Sequence, residues 1–526
     1  MAATFITLSD DLNSPILSPP SKNMKETEKI CIDDMLEKYC GEFGKWQLKH
    51  FILTCLAWAL EAFHTMVMIF ADREPDWRCV NGVECGGRSV CGMKAAEWEW
   101  IGGKAASTVS EWSLICGDKF KVGLVQAVFF AGCMIGAGVF GHLSDSFLGR
   151  KGSLTVVCVL NTIFGCLTAF SQNYWTYVLL RLLTGFSSGG VGLCAFVLAT
   201  EPIGPSKRGT AGMCTFYFFS GGIVILSGIA YIFQTWRTLY IVSSIPSFLY
   251  IMLVLPFIYE SPRWYLVRGR IHEATKIMST IASSNGKHLP DGVFLALDEE
   301  VSKSKIATND DEYNLISCID NKDAQIGSIV DVICYPVTRI RLFLAVAINF
   351  LTSMVYYGLS LNVVNLETNL YMNVLLNAVA EMPAFFITAM LLDKFGRKPL
   401  TIGTMWFSGL FCLMGSFMSN IGMWKVIKMV CGVLGIFGMA GTYNLLYIYT
   451  AELFPTVVRN VALGCTIQAA RLGGILAPFV VVLGGWLPFG VFAACGIIGG
   501  MFPFYLPETL NMPLYDTFNG LEAGLA

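Results

Sequence analysis

Charge is what this sequence has least of. Only 14% of its 526 residues are Asp, Glu, Lys or Arg, against roughly 25% in a typical soluble domain. Hydrophobic residues make up 54%, and the mean hydropathy is +0.59, which excludes an ordinary soluble globular chain. No Lys/Arg-rich tract points to nucleic acid, and the net charge of −2 singles out no partner. No Gly-x4-Gly-Lys-Ser/Thr loop is present to hold nucleotide phosphates, so ATP-driven work by this chain is not expected. Neither a metal-ligand cluster nor a nucleophile–base pairing stands out. The expectation is therefore no enzyme, no catalytic residue, no metal and no cofactor. No basic-then-apolar leader opens the chain, so the first apolar block is expected to act as its own signal anchor. The absence of any Asn-x-Ser/Thr sequon predicts no N-glycan.

What the sequence does have is helix-length apolar blocks. A span needs about 20 mainly apolar residues to cross ~30 Å of hydrocarbon. Six such blocks fall at about Lys49–Ala71, Val122–Leu143, Leu154–Ser171, Tyr174–Thr200, Gly209–Gln234 and Leu239–Tyr259. Six more fall at about Leu342–Val363, Asn369–Leu392, Leu400–Ser419, Met423–Thr450, Asn460–Gly484 and Trp486–Leu506. Between the two sets the composition turns polar, so residues 260–340 read as an aqueous hinge. The predicted organisation is an all-α integral membrane protein. A polar tail (1–48), expected to be disordered, leads to a six-helix bundle (49–259), the hinge, a second bundle (341–506) and a short tail (507–526). Four glycines in span 2, Gly132, Gly136, Gly138 and Gly141, predict close helix packing.

Lys and Arg cluster in loops of one parity, for example Arg150-Lys151, Lys207-Arg208, Arg397-Lys398 and Arg459. Arg237, Lys425 and Lys428 are the exceptions. The bias places both termini and the hinge in the cytosol. The loop 72–119 then faces the outside or a lumen, and it holds Cys79, Cys85, Cys91 and Cys116. An even set of cysteines on an oxidising face predicts disulfides. A zinc site is the weaker reading, because no CxxC pair occurs among them. Three connectivities remain open.

Each half repeats a loop signature after its second span. The first copy runs Gly141-His-Leu-Ser-Asp145-Ser-Phe-Leu-Gly149-Arg150-Lys151, the second Leu392-Asp393-Lys-Phe-Gly396-Arg397-Lys398. An acid and two cations at a short turn can latch helix ends in one conformation and release them in another. Two matched copies resemble the signature loop of the major facilitator superfamily, although the first carries one extra residue after Asp145. Further stretches are similar to the solute carrier 22 family of organic ion transporters. These are Glu111-Trp-Ser-Leu-Ile-Cys116, Arg181-Leu-Leu-Thr-Gly185, Glu260-Ser-Pro-Arg263, Tyr449-Thr-Ala-Glu452-Leu-Phe-Pro455 and Pro507-Glu508-Thr509. Within that family, Trp58-Ala-Leu-Glu61-Ala and the missing sequons resemble the plant organic cation/carnitine transporters. The resemblance implies twelve helices in two six-helix bundles working by alternating access. Asp145, Arg150, Glu201, Glu260, Arg263, Asp393, Arg397, Glu452 and Arg459 are then conformational latches, and Arg181 is a structural arginine able to pair with these acids. The Lys that some animal relatives place in span 4 is absent, where this chain reads Ser187-Ser188-Gly189-Gly190.

An ionisable group deep in a span is costly and so suggests function. Glu61 with His64 one turn on, Glu381 before Met382-Pro383, and Arg471 qualify. The resemblance implies that Arg471 marks carriers of anions or of carnitine, a zwitterion whose carboxylate a guanidinium can grip. Glu381, Glu61 and the aromatics Tyr356, Tyr357, Phe216, Tyr217 and Tyr447 are expected to hold the ammonium. A direct Arg471–Glu381 pair that never touches cargo is the competing reading. Glu61 and His64 form a candidate proton relay, with a facilitative carrier as the alternative. The expected cargo is a small organic cation or zwitterion such as carnitine, a choline-like amine or a polyamine, moved by a monomer embedded in the plasma or vacuolar membrane. A sugar or phosphate porter of the same superfamily and a non-transporting sensor are the rivals.

Overall fold

The computed structural model describes residues 28–80, 90–94, 97–290, 293–296, 329–366, 368–419, 421–510 and 512. Among the described residues, twelve long helices correspond to the twelve predicted spans. Spans 1–6 are Lys45–Ala71, Phe120–Asp145, Gly149–Thr168, Tyr174–Thr200, Pro205–Ile232 and Trp236–Leu253. Spans 7–12 are Pro336–Leu361, Leu370–Phe395, Arg397–Ser416, Trp424–Leu453, Thr456–Val482 and Leu487–Met501. Eleven are long and apolar enough to cross a membrane among the described residues. The other, span 9, opens on Arg397-Lys398-Pro399, which shortens its apolar stretch.

Local chemistry sets the ends. Asn173 and Asn369 accept the backbone N–H of Thr176 (2.9 Å) and Met372 (3.1 Å), capping spans 4 and 8. Proline occupies the first turn of spans 5, 7 and 12, where its missing N–H costs nothing. Glycine sets the packing distance, since a Cβ on Gly136 would lie 1.8 Å from the carbonyl oxygen of Phe186 in span 4. Gly132 makes the same close approach to span 4, whereas Gly138 faces open space and does not share it.

The spans that carry Arg150 and Arg397 at one end define a linker face, and the opposite ends a disulfide face. On the disulfide face Cys91 bonds Cys116, Cys79 is also disulfide-bonded, and Cys85 lies outside the described residues. Strands Trp77–Cys79 and Trp98–Trp100 pair antiparallel there. Glu111 pins this loop to span 6, accepting from Trp236 Nε1 (2.8 Å) and Arg237 (2.5 Å). Arg237, an exception to the charge bias, is thus neutralised on the spot. Lys428, another exception, is buried over the ring of Phe489.

The N-terminal segment departs from expectation. Residues 28–48 are not a loose tail. Strand Glu28–Ile30 pairs in parallel with Val293–Leu295, and Ile32, Met35, Leu36 and Cys40 pack on Ala274, Met278 and Ile281 of helix Ile271–Ser284. Asp33 bridges Arg208 (2.6 Å) and Arg263. The segment is polar overall, which hid the few apolar residues that line one side of it.

Candidate functional site

The halves meet along two seams, span 2 against span 11 and span 5 against span 8. At their centre lies a small cavity of about 30 Å³. Glu61, Arg471, Tyr356, Tyr357, Phe216 and Tyr447, all among the residues expected to hold cargo, line it. Trp58, Phe219, Phe385 and Tyr443 line it too. Helical spacing offered a signal for three of these, since Trp58 precedes Glu61, Phe219 follows Phe216 and Tyr443 precedes Tyr447 by one turn each. Tyr217 does not line the cavity; its ring packs edge-on against Phe385 at 5.5 Å.

The charges pair differently from either sequence reading. Arg471 of span 11 meets Glu61 of span 1, Nη2 to Oε1 at 3.6 Å, the Glu61 side chain being buried and that of Arg471 half-buried. Glu381 does not face Arg471 and does not line the cavity. Its carboxyl accepts the hydroxyl of Tyr356 (2.9 Å) and that of Ser220. A buried carboxyl must find donors, and neighbours on spans 5 and 7 supply them. The Glu61–His64 relay is not formed among the described residues. His64 Nε2 contacts Ser247 Oγ at 3.3 Å, and Glu61 Oε2 lies against Gly192, where a Cβ would come within 2.1 Å.

A vestibule of about 1150 Å³ lies on the disulfide face, lined among others by Asp72, Arg73, Lys119, Gln126 and Asn365. It shares no lining residue with the central cavity. Phe130, one turn along span 2 from Gln126 of the vestibule, packs on Tyr357 of the central cavity with ring centroids 4.6 Å apart.

On the linker face each half carries the same device. Arg150 binds Glu201 (3.0 Å) and Asp145 (2.9 Å), while the Glu260 carboxylate accepts the N–H of Arg150 (3.0 Å) and Lys151 (3.1 Å). Arg397 binds Glu452 (2.9 Å), and Glu508 accepts the N–H of Arg397 (2.9 Å) and Lys398 (3.0 Å). An anion therefore caps the N-terminus of spans 3 and 9, where it is favoured. Gly149 and Gly396, at φ +76° and +90°, turn the chain beneath those carboxylates. The extra residue after Asp145 is absorbed in the turn without losing the Arg150 contact. Asp393 has a side chain outside the described residues.

Two expected latches, Arg181 and Arg263, need correction. Arg181 pairs with none of the acids: it is buried, donates to the carbonyl of His64 (3.0 Å) and lies 4.3 Å from the centre of the Phe129 ring. It stands 20 residues before Glu201 on one helix, about 30 Å away, which rules out a shared latch. Arg263 joins Asp33 of the N-terminal segment, reaching Glu201 only at its carbonyl (3.4 Å). Arg459, at the start of span 11, has no hydrogen-bond partner at Nε or Nη2 among the described residues.

Burial holds the Glu260 carboxyl above its ordinary value of 4.5, against the pull of the backbone N–H groups. At Glu508 burial again pushes upward, but the N–H groups of Arg397, Leu510, Lys398 and Thr509 outweigh it and the value falls below 4.5.

Comparison with known proteins gives a consistent picture. The family described as "Sugar (and other) transporter" matches residues 47–518. "Organic cation/carnitine transporter 4" of Arabidopsis thaliana is 67% identical over 98% of this chain and 95% of its own length. "Solute carrier family 22 member 15-like" of Xenopus laevis is 32% identical over 92% of this chain and 95% of its own length. The inward-open xylose transporter of E. coli shares the fold, with a TM-score of 0.61 at 18% identity, covering 91% of this chain and 99% of that one.

Proposed function

The chain belongs to the sugar (and other) transporter family of the major facilitator superfamily and, within it, to the solute carrier 22-like organic cation/carnitine transporters, and from that membership we propose that it moves small organic cations and zwitterions by alternating access. Carnitine, choline-like amines and polyamines are the cargo class. The observation that carries this reading is the central cavity itself, an aromatic box between the two halves holding one guanidinium and one carboxyl. Aromatic faces attract an ammonium by ~0.5–2 kcal/mol each. The guanidinium can grip a carboxylate. Among the described residues no Asn or Gln lines the cavity, which favours an ammonium over a sugar, and the xylose transporter likeness speaks to fold alone.

Arg471→Ala tests this directly. Carnitine uptake should fall at least about tenfold, the loss of roughly 1.4 kcal/mol or more, while uptake of a compact amine without a carboxylate falls less. Equal losses would refute the assignment of Arg471 to cargo. Glu61 is the group we assign to proton exchange, because it opens on the cavity and its Oε2 has no partner. Uptake by Glu61→Gln should lose its dependence on external pH between about 5 and 8; a dependence that survives the substitution removes that role.

The charge bias supports a cytosolic linker face and an outer or luminal disulfide face, with the carrier working as a monomer in the plasma or vacuolar membrane. Protease protection of the Cys91–Cys116 loop in sealed right-side-out membranes would contradict this orientation.

A further inference from the structure

The ion pair at the centre is a contact that the site makes with itself. Arg471 and Glu61 come from opposite halves, meet at 3.6 Å and line the same cavity. Among the described residues no other Lys or Arg lines that cavity. A cargo carboxylate needs this guanidinium, and Glu61 already stands on it. The hold is loose. At 3.6 Å the contact is longer than a hydrogen bond, and Glu61 Oε2 has no hydrogen-bond partner among the described residues. Glu381 cannot take over, since its two oxygens are engaged by Tyr356 and Ser220.

Resting on the carrier reading above, we propose that Glu61 determines specificity by standing in for a cargo carboxylate. Three consequences follow from charge alone. A simple cation enters a site whose guanidinium is already neutralised. A zwitterion must displace Glu61 from Arg471, but the freed Glu61 carboxylate then faces the cargo ammonium in the same cavity, so one internal pair is exchanged for two external ones. A simple anion also has to displace Glu61 and brings no cation to compensate it, so it is rejected. Glu61 thus admits carnitine-like cargo while excluding monocarboxylates that Arg471 alone would accept.

The test reconstitutes the full chain in vesicles at one fixed pH and measures uptake of carnitine and choline, with butyrate as competitor, for the unaltered protein and Glu61→Gln. The expected result is a carnitine-to-choline uptake ratio raised about three- to tenfold in the variant, and butyrate inhibition that the unaltered protein does not show. Glu61→Asp, whose carboxylate is one carbon shorter, should shift the ratio the same way by less and covers the case of a poorly folding Gln variant. An unmoved or lowered ratio, with butyrate still inert, overturns the role of Glu61 while leaving the carrier reading intact. Uptake of neither cargo by the unaltered protein overturns the carrier reading, and this inference with it.

Discussion

Trp58 shows what a single residue adds to the site. Its indole lies against Phe216 and Phe219, with centroids 5.4 and 6.4 Å away, and it lines the central cavity. Its Nε1 is buried without a hydrogen-bond partner among the described residues. An unmet donor in a dry site is costly unless something arrives to accept from it, and a cargo hydroxyl or carboxylate is suited to do so. Trp58→Phe keeps the ring and removes only the donor. It should raise the KM for carnitine about three- to tenfold, the worth of about one hydrogen bond, with a smaller change in maximal rate. An unchanged KM in transport assays would show that the N–H serves no cargo. At this scale the sequence was informative about which groups are buried, because ionisable residues in apolar runs stand out. It was silent on pairing. Arg471, Glu61 and Glu381 sit on three different spans, and which two meet depends on helix rotation, which no single sequence encodes visibly.

Helix ends are where two copies of one motif come to differ. Glu260 and Glu508 cap spans 3 and 9 through equivalent backbone contacts, yet burial wins at the first and hydrogen bonding at the second. The signs are therefore opposite. Glu508, with its folded value lowered, adds stability that is complete above its ordinary 4.5 and drains away as pH falls through the lowered value. Glu260, with its folded value raised, contributes most below 4.5 and loses that contribution as pH rises through the raised value. Thermal unfolding of Glu508→Gln and Glu260→Gln between about pH 3.5 and 7 checks this. The Glu508→Gln deficit should be largest near neutrality and shrink in acid, and the Glu260→Gln deficit should run the other way. Parallel profiles would defeat the argument. The loop signatures were legible because glycine, acid and cation recur at matched positions. The folded segment 28–48 was not, since its contacts with Ile271–Ser284 join residues more than 230 apart in the chain.

The whole molecule divides its contacts unevenly between its two faces. Among the described residues, the polar links between the halves are Arg471–Glu61, Ser220–Glu381, Arg73–Tyr371 and Ser227–Tyr371. All lie at the centre or towards the disulfide face, whereas the latches of the linker face each stay within one half. Two rigid bundles joined in this way can part on the linker face without breaking a latch, but opening the disulfide face requires the seams there to separate. Gly123 marks the tightest part of one seam: a Cβ on it would lie 2.9 Å from Val482 Cγ2 and 3.3 Å from the Pro478 carbonyl oxygen. Cysteines at Gly123 and Val482 should therefore cross-link on mild oxidation and hold the disulfide face shut. Alternating access demands that this face open once per cycle, so net uptake should fall by more than about tenfold and return on reduction, while each single cysteine variant keeps its uptake under the same oxidation. Full uptake by a fully cross-linked protein would mean that spans 2 and 11 never separate there, and the cargo would need a different route between the two faces.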